Sequence, residues 1–356
     1  MKNQRYGKRI GMVCIIMIIL FVMTGATSFG LISLSQAAPA SNPIGGKTVE
    51  MIVPFGPGGS FDVTCRLVAP FLEKVLKKVT GVDQTVIVVN KPGAAGRTAL
   101  VEVYKKDANA PVFVLMSASA LPQQVGMKTI YDVAKFTYLG RASVDFRAIY
   151  IRKDLPIKTF KELVDRSQKK PFLIGTSGFG ASEHQNTLMM ADILRKEANI
   201  DLRFDYVHFK GVGEIQAAMM RKDVEGSINS LPDTMMVVRN DYGKVIVQIA
   251  PNRVKELLPD VPTLIESGVS GGTSAKVQNV LMQKRSFVAS PEMNSALTDV
   301  LRKAIKEALY DPELLEKAKK TDISLDYADP ATDLQNSKDT LKVMEEFKDL
   351  LAQMYK

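Results

Sequence analysis

The amino-acid sequence predicts an α/β protein of two domains, each a mostly parallel sheet flanked by helices, with a ligand cleft between the domains. The chain has 356 residues, a length typical of about two domains. Short β-rich runs alternate with longer amphipathic runs, which is the order of parallel sheets covered by helices. Glycine-rich turns join several strands to the following helices, where ligands bind in such folds.

The predicted elements follow one another in this order. Residues 49–54 form an apolar strand, and residues 61–79 carry apolar side chains at helical spacing. The other elements of the first half are a strand at 85–89, a helix at 97–105 and a strand at 112–116. In the second half, strands are predicted at 172–175, 202–208 and 245–250, and helices at 182–196 and 214–222. Three capping residues followed by proline mark helix starts in the last third: Ser290-Pro291, Asp311-Pro312 and Asp329-Pro330.

We expect the chain to cross between the domains twice. The first domain would comprise residues 47–147 and 276–356, and the second domain residues 148–275. The return crossing would use residues 276–289.

Composition excludes several classes of protein. Hydrophobic residues make up 46% and charged residues 24% of the chain, and there are two cysteines, so neither disorder nor a disulfide scaffold is indicated. Cys14 lies in the N-terminal apolar run, which leaves Cys65 without an internal partner. No His or Cys cluster has metal-ligand spacing. We therefore expect no metal and no cofactor.

Residues 1–38 have the pattern of an export signal. Four basic residues precede an apolar stretch at 10–34, and small residues follow it up to Ala38. The stretch is longer than a usual signal core, so an uncleaved membrane anchor is the alternative. Cleavage after Ala38 would leave 318 residues with a net charge of +5, which argues against a nucleic-acid partner. The predicted localisation is periplasmic or at the cell surface.

The turn at residues 54–62, Pro-Phe-Gly-Pro-Gly-Gly-Ser-Phe-Asp, joins the first strand to the first helix. Its glycines let the backbone approach a ligand closely, and the first-turn amides with the helix dipole attract an anion. No lysine stands where a nucleotide-binding P-loop needs one. The alternative interpretation is a tight turn, with Asp62 merely favoured in the first turn of the helix.

A second turn at residues 175–184 offers the hydroxyls of Thr176, Ser177 and Ser182 beside backbone amides, which suits an oxygen-rich ligand. Phe179 stands where a nucleophile elbow needs its second glycine. His184 as a base for Ser182 would make a hydrolase, but residues two apart on a helix point to different sides. Turns at 90–97 and 210–213 either face the same cleft or only orient helices. A cleft of amides and hydroxyls without a base, nucleophile or metal predicts a receptor rather than an enzyme.

Five segments, in order, resemble the motifs of the substrate-binding proteins of tripartite tricarboxylate transporters: residues 52–62, 88–96, 175–184, 207–213 and 258–268. The resemblance covers nearly all of the chain from Val49 onward. It implies a type II-like, two-domain periplasmic binding protein that closes on a small organic carboxylate. It further implies delivery of that ligand to a membrane permease with one large and one small subunit. We expect a monomer.

The resemblance also implies the ligand-binding residues. One wall would be formed by Phe55, Gly58, Gly59, Ser60 and Asp62. The opposing wall would be formed by Thr176, Ser177, Gly180, Ala181 and Ser182. Ser117 and Ser119 match a further lining segment.

The chain also departs from the family pattern. Asp107-Ala108-Asn109 replaces an Asp-Gly-Tyr turn, the return strand has no Trp, and Ser290-Pro291 replaces Gly-Thr-Pro. These departures leave the identity of the carboxylate and the exact hinge open. The alternative function is a periplasmic ligand sensor that presents its closed form to a membrane kinase, and the sequence does not separate transport from sensing.

Overall fold

Two mixed β-sheets flanked by helices organise residues 42–356, the part of the chain that this computed structural model describes. The predicted export signal at 1–38 and its alternative, a membrane anchor, lie outside those residues. Among residues 42–356, no helix has both the length and the apolar character needed to cross a bilayer.

The eleven strands of the described range are β1 (Val49–Val53), β2 (Val86–Asn90), β3 (Val112–Ser117), β4 (Thr137–Asp145), β5 (Arg147–Arg152), β6 (Phe172–Thr176), β7 (Phe204–His208), β8 (Gly226–Ser230), β9 (Gly243–Ile249), β10 (Gln283–Ala289) and β11 (Leu325–Ala328). Its α-helices are α1 (Ser60–Thr80), α2 (Arg97–Tyr104), α3 (Ala120–Gly126), α4 (Phe160–Lys169), α5 (Ser182–Ala198), α6 (Val212–Met220), α7 (Leu231–Arg239), α8 (Gly271–Leu281), α9 (Ser295–Leu309), α10 (Pro312–Lys320), α11 (Pro330–Met344) and α12 (Lys348–Met354).

The first sheet has the strand order β11-β4-β10-β3-β1-β2, and the second has the order β7-β6-β8-β5-β9. We call each sheet with the helices packed on it a lobe. In the first lobe β1 pairs in parallel with β2 and β3, and in the second β6 pairs in parallel with β7 and β8. The α/β class and the two-sheet architecture are thus confirmed.

The expectation of mostly parallel sheets is wrong in detail. β10 is antiparallel to both β3 and β4, and β5 is antiparallel to both β8 and β9. The physical reason lies in the connections between the sheets. β5 and β10 begin where the chain crosses from one sheet to the other, so they run away from that junction, whereas the strands of the β-α-β units end at it.

The helix caps of the last third are partly as predicted. The side chains of Asp311 and Asp329 cap α10 and α11 by accepting hydrogen bonds from first-turn amides. No helix starts at Ser290: its hydroxyl accepts from the Glu292 amide and donates to the Lys106 carbonyl oxygen, but only a turn follows. Asn294 caps α9 instead, because its side-chain oxygen accepts from the amides of Ala296 and Leu297. The return crossing also differs from its predicted range of 276–289. The first part of that range is the end of α8, which finishes at Leu281, and the strand starts only at Gln283.

Each lobe has its own apolar core. Cys65 on α1 is inaccessible to solvent in the core of the first lobe, and burial raises the pKa of its thiol. Met344, Phe347 and Leu351, which the expected limits assign to the first domain, pack in the core of the second lobe. The domain limits at 147/148 and 275/276 stay a prediction.

Asp333 on α11 gives the first testable prediction. Its side chain is fully buried, and burial raises the pKa of its carboxyl to about 6. Between about pH 4 and pH 6 the unfolded chain loses this proton while the folded chain keeps it, so the free energy of unfolding falls as pH rises. Over this pH range the free energy of unfolding of Asp333→Asn should fall by about 2–3 kcal/mol less than that of the wild type. Urea unfolding at several pH values measures the difference.

The control is Asp339→Asn on the same helix, whose carboxylate is exposed and hydrogen-bonded to Gln335 and Lys342. In this variant the free energy of unfolding should fall between about pH 4 and pH 6 by nearly as much as in the wild type. Asp145, whose pKa burial also raises to about 6, keeps part of the pH dependence in both variants. An Asp333→Asn profile that superimposes on the wild-type profile would contradict the prediction.

Candidate functional site

The two connections between the sheets run side by side at the floor of a cleft. β4 ends at Asp145 and β5 starts at Arg147, so a single residue separates the sheets there. On the other connection Gln283, the first residue of β10, pairs in register with Asp145. Arg285 follows two residues later on the same strand. Four polar side chains are therefore gathered at the point where the lobes join.

A cavity lies above this floor, between the lobes. Four helices begin at its wall, because the first residues of α1, α5 and α6 and the residue before α7 all line it: Ser60, Ser182, Val212 and Ser230. Helix N-termini carry unpaired amides and a partial positive charge. The full lining is Phe55, Gly56, Gly59, Ser60, Phe61, Arg147, Ser177, Ser182, Glu183, Gly211, Val212, Asn229, Ser230, Asp233 and Gln283.

Seven of the predicted ligand-binding residues line a cavity. Phe55, Gly59, Ser60, Ser177 and Ser182 line the cavity just described. Ser117 and Ser119 lie with Ser182 in an adjoining cavity. The role of these residues in ligand binding stays a prediction.

The other five predicted residues hold the two turns in shape. The carboxylate of Asp62 accepts hydrogen bonds from the Gly58 amide at 3.0 Å, from Arg66 Nε at 2.9 Å and from Asn90. Gly58 has φ 84°, a left-handed conformation that favours glycine. In the second turn Thr176 bonds to the Gly178 carbonyl oxygen, the Gly180 carbonyl oxygen accepts from Gln123, and Ala181 is the N-cap of α5.

The two further glycine turns both face the cleft. Gly211 and Val212 line the cavity, and a Cβ added at Gly211 would lie 3.7 Å from the Gly56 amide nitrogen of the first turn. The turn at 90–97 lines an outer part of the cleft with Phe55 and Phe179.

The expected anion site of the first turn is occupied by a carboxylate of this chain. Asp233 Oδ1 accepts from the Ser60 amide and Oδ2 from the Ser60 hydroxyl, both at 2.8 Å. Ser230, at the start of α7, donates its hydroxyl to the same carboxylate at 2.9 Å. The contact joins a helix of the first lobe to a helix of the second. Asp233 thus holds the lobes together over the cavity.

Arg285 joins the same group of residues from the floor. Its Nη1 lies 2.9 Å from Asp145 Oδ2, with both side chains almost inaccessible. Its Nη2 donates to the Ser60 hydroxyl at 2.8 Å and to the Ser230 hydroxyl at 3.1 Å. Burial raises the pKa of Asp145 to about 6 against the lowering effect of Arg285. Without Arg285, the buried Asp145 carboxylate would lose the cation that most strongly offsets its burial.

Arg147 also lines the cavity but has no comparable partner. Its Nε donates to the Leu281 carbonyl oxygen at 2.8 Å and its Nη2 to the side-chain oxygen of Gln283. Among residues 42–356, no carboxylate lies within ion-pair distance of its guanidinium. Burial lowers its pKa to about 10, so it stays cationic at neutral pH.

Glu183 forms part of the opposite wall. Its Oε2 accepts from the Ser177 hydroxyl at 2.8 Å and from the Ser177 amide at 3.3 Å. Burial raises the pKa of the carboxyl, partly opposed by the charge of Arg147. A carboxylate of the protein therefore accepts hydrogen bonds from each turn, Asp233 from the first turn and Glu183 from the second.

The lining thus carries buried charged side chains in addition to the amides and hydroxyls that the sequence predicts. Sequence reasoning missed Arg147, Glu183, Asp233 and Arg285. Arg147 did carry a signal, since it stands between Phe146 and Ala148 at the start of a largely apolar strand. Arg285 did not, because its neighbours Lys284 and Ser286 are polar. A charge in a buried strand is rarely fully buried without a partner or a function. The two carboxylates resemble ordinary first-turn residues of helices, which hid them.

The hydrolase hypothesis finds no support in the geometry. Nδ1 of His184 accepts a hydrogen bond from the Gly180 amide at 3.2 Å, and its ring packs on Tyr206 with ring centroids 4.3 Å apart. Burial lowers its pKa to about 4. His184 is held by the turn and not by Ser182.

Comparisons with known proteins agree with this architecture. A family model described as the tripartite tricarboxylate transporter family receptor matches residues 69–347, well over half of the chain. BugT of Bordetella pertussis is 26% identical over 243 residues, covering 65% of this chain and 69% of BugT. The solved periplasmic binding protein BugD superimposes with a TM-score of 0.73 at 24% identity, over 85% of this chain and 97% of BugD. MatC of Rhodopseudomonas palustris, solved with bound malate, gives 0.72 at 20% identity, over 85% and 98% of the two chains.

Proposed function

Because the chain belongs to the receptor family of tripartite tricarboxylate transporters, we propose that it captures a small organic carboxylate outside the cytoplasmic membrane and delivers it to such a transporter. The observation that supports capture most directly is the cavity between the lobes, at which four helices begin. Malate in the related MatC fold agrees with a carboxylate ligand.

The geometry favours reversible binding over chemistry. Hydrogen bonds to charged groups contribute about 1.5–3 kcal/mol each, so a guanidinium and a few amides and hydroxyls suffice for micromolar affinity. The cavity lies where the sheets are joined by two short connections, so rotation of the lobes about those connections would open and close it. The protein binds its ligand by closure and releases it unchanged.

Calorimetry of the purified protein tests the capture step. Di- and tricarboxylates, aromatic acids and acidic amino acids are titrated in turn, and at least one should bind with a dissociation constant in the micromolar range or below. Folded protein that gives no heat with any of them would contradict the proposal.

Delivery is tested with membrane vesicles that contain the large and small permease subunits. Addition of the loaded receptor should start uptake of the labelled carboxylate. Vesicles without the permease are the control. Binding without uptake would instead favour the sensor hypothesis.

Gly59 gives a prediction for the first turn. Its backbone has φ −84° and ψ 168°, which any residue adopts, and an added Cβ would meet only Asp233 Oδ1, at 3.9 Å. Gly59→Ala should therefore fold and keep most of its affinity. Gly59→Val should also fold but bind the carboxylate found by calorimetry at least about tenfold more weakly, because its γ-methyl groups extend into the cavity.

The measurement is titration of both variants, with thermal unfolding as the check on folding. Gly59→Val with wild-type affinity would place the ligand away from the first turn.

A further inference from the structure

We propose that the ligand is a small zwitterion whose carboxylate pairs with Arg147 and whose cationic group lies between Glu183 and Asp233. The inference rests on the proposed function and narrows the class of carboxylate. It follows from three buried charged side chains that line one cavity, none of which has an oppositely charged side chain of residues 42–356 within ion-pair distance.

Arg147 is the anchor for the carboxylate. Only 2% of its surface is exposed, and its Nε and Nη2 are used by Leu281 and Gln283. Nη1 has no acceptor among residues 42–356. The carboxylates that act on it, Glu183 foremost, lie beyond ion-pair distance, and a buried charge without a directly bonded partner is unfavourable. A ligand carboxylate would provide both the missing acceptor and a negative charge in direct contact.

Glu183 and Asp233 form the complementary part of the cavity. They are 4% and 5% exposed, and their hydrogen bonds come from neutral serine groups. Within the described chain neither carboxylate has a lysine or arginine at ion-pair distance. Both hydrogen bonds from Ser177 go to Oε2 of Glu183, although the two oxygens of a carboxylate together accept about four. Both side chains can therefore accept hydrogen bonds from an ammonium group.

The charge balance decides between ligand classes. Arg285 and Asp145 neutralise each other, which leaves one cation and two carboxylates on the lining. A dicarboxylate could satisfy Arg147 with one end, but its other end would lie against Glu183 and Asp233. Like charges placed together at a desolvated site cost several kcal/mol. A cationic nitrogen in the same place would be attracted by both carboxylates.

The experiment is a calorimetric comparison of matched ligands. Each set contains an amino acid or betaine, the dicarboxylate of the same length and the monocarboxylate of the same length, for example 4-aminobutanoate, glutarate and pentanoate. Sets of different length cover different separations of the two charges. In at least one set the zwitterion should bind about tenfold or more tightly than both of its matches.

Charge-neutralising variants then assign the two ends of that zwitterion. Glu183→Gln should weaken the zwitterion about tenfold or more and affect the matched monocarboxylate much less. Arg147→Gln should weaken both ligands. Asp233→Asn keeps an oxygen for the Ser60 amide and gives a second measurement should Glu183→Gln fold poorly. Glu197→Gln, near the other end of α5, is the matched control and should change neither affinity.

The outcomes separate this inference from the proposed function. If dicarboxylates bind more tightly than zwitterions and Glu183→Gln leaves the wild-type preference unchanged, the zwitterion assignment is overturned while carboxylate capture stands. If a zwitterion binds but Arg147→Gln has no effect, the assignment of its carboxylate is overturned. If no carboxylate of any kind binds to the folded protein, the proposed function itself is overturned.

Discussion

Replacing Arg285 with methionine is expected to lower the free energy of unfolding by about 3–5 kcal/mol at neutral pH. The change removes the guanidinium at 2.9 Å from Asp145 and leaves a fully buried carboxylate without a partner. Methionine fills much of the same volume, so the expected loss comes from the unpaired charge rather than from a cavity. Urea unfolding monitored by circular dichroism measures it.

Two comparisons isolate the charge effect. Asp145→Asn in the Arg285→Met background should recover most of the loss, because a neutral amide is far less costly to bury than an unpaired carboxylate. The loss in Arg285→Met should also be smaller at pH 5 than at pH 8, since Asp145 becomes neutral when it binds a proton. An equal loss at both pH values, with no recovery in the double variant, would contradict the explanation.

Gly226→Ala is the second change with a large expected effect. A Cβ at this position would lie 2.2 Å from the carbonyl oxygen of Tyr150 and 3.0 Å from the Cα of Ile151. Both atoms belong to the backbone of β5, which pairs with β8, so no side-chain rotation relieves the overlap. β8 must move away from β5, and we expect about 3 kcal/mol or more to be lost.

Gly213→Ala is the matched control for that variant. Its added Cβ would meet no atom within 4 Å, and alanine is favoured over glycine in a helix such as α6, so stability should be equal or up to about 1 kcal/mol higher. Gly226→Ala should in addition bind ligand more weakly, because β8 leads to Ser230 and Asp233. Equal unfolding midpoints for the two variants would exclude the overlap as a destabilising contact.

Much of the fold can be predicted from local sequence patterns. The helical spacing after residue 60, the strand at 112–116 and the aspartate-proline caps each depend on residues close together in the chain, and the structure has the corresponding elements. The direction of β5 and β10 could not be predicted in this way. Strand pairing depends on which distant strand lies beside them, and a short run of residues carries no information about that.

The site, like the fold, could be predicted only where it depends on residues close together in the chain. The glycine turns at 54–62 and 175–184 were located because a strand, a turn and a helix follow one another within a few residues. Arg285 lies 225 residues along the chain from Ser60, to which it donates a hydrogen bond. Whether a charge is buried and paired depends on such distant contacts. Sequence analysis therefore located the two turns that line the cleft but not the buried charges beside them.

The buried thiol of Cys65 has a practical consequence for measuring lobe motion. Because it is inaccessible and its pKa is raised, it should react only slowly with maleimide dyes while the protein is folded. Cysteines introduced at one exposed position on each lobe can then be labelled selectively within the described chain. Energy transfer between the two dyes would report the closing of the cleft as ligand is added.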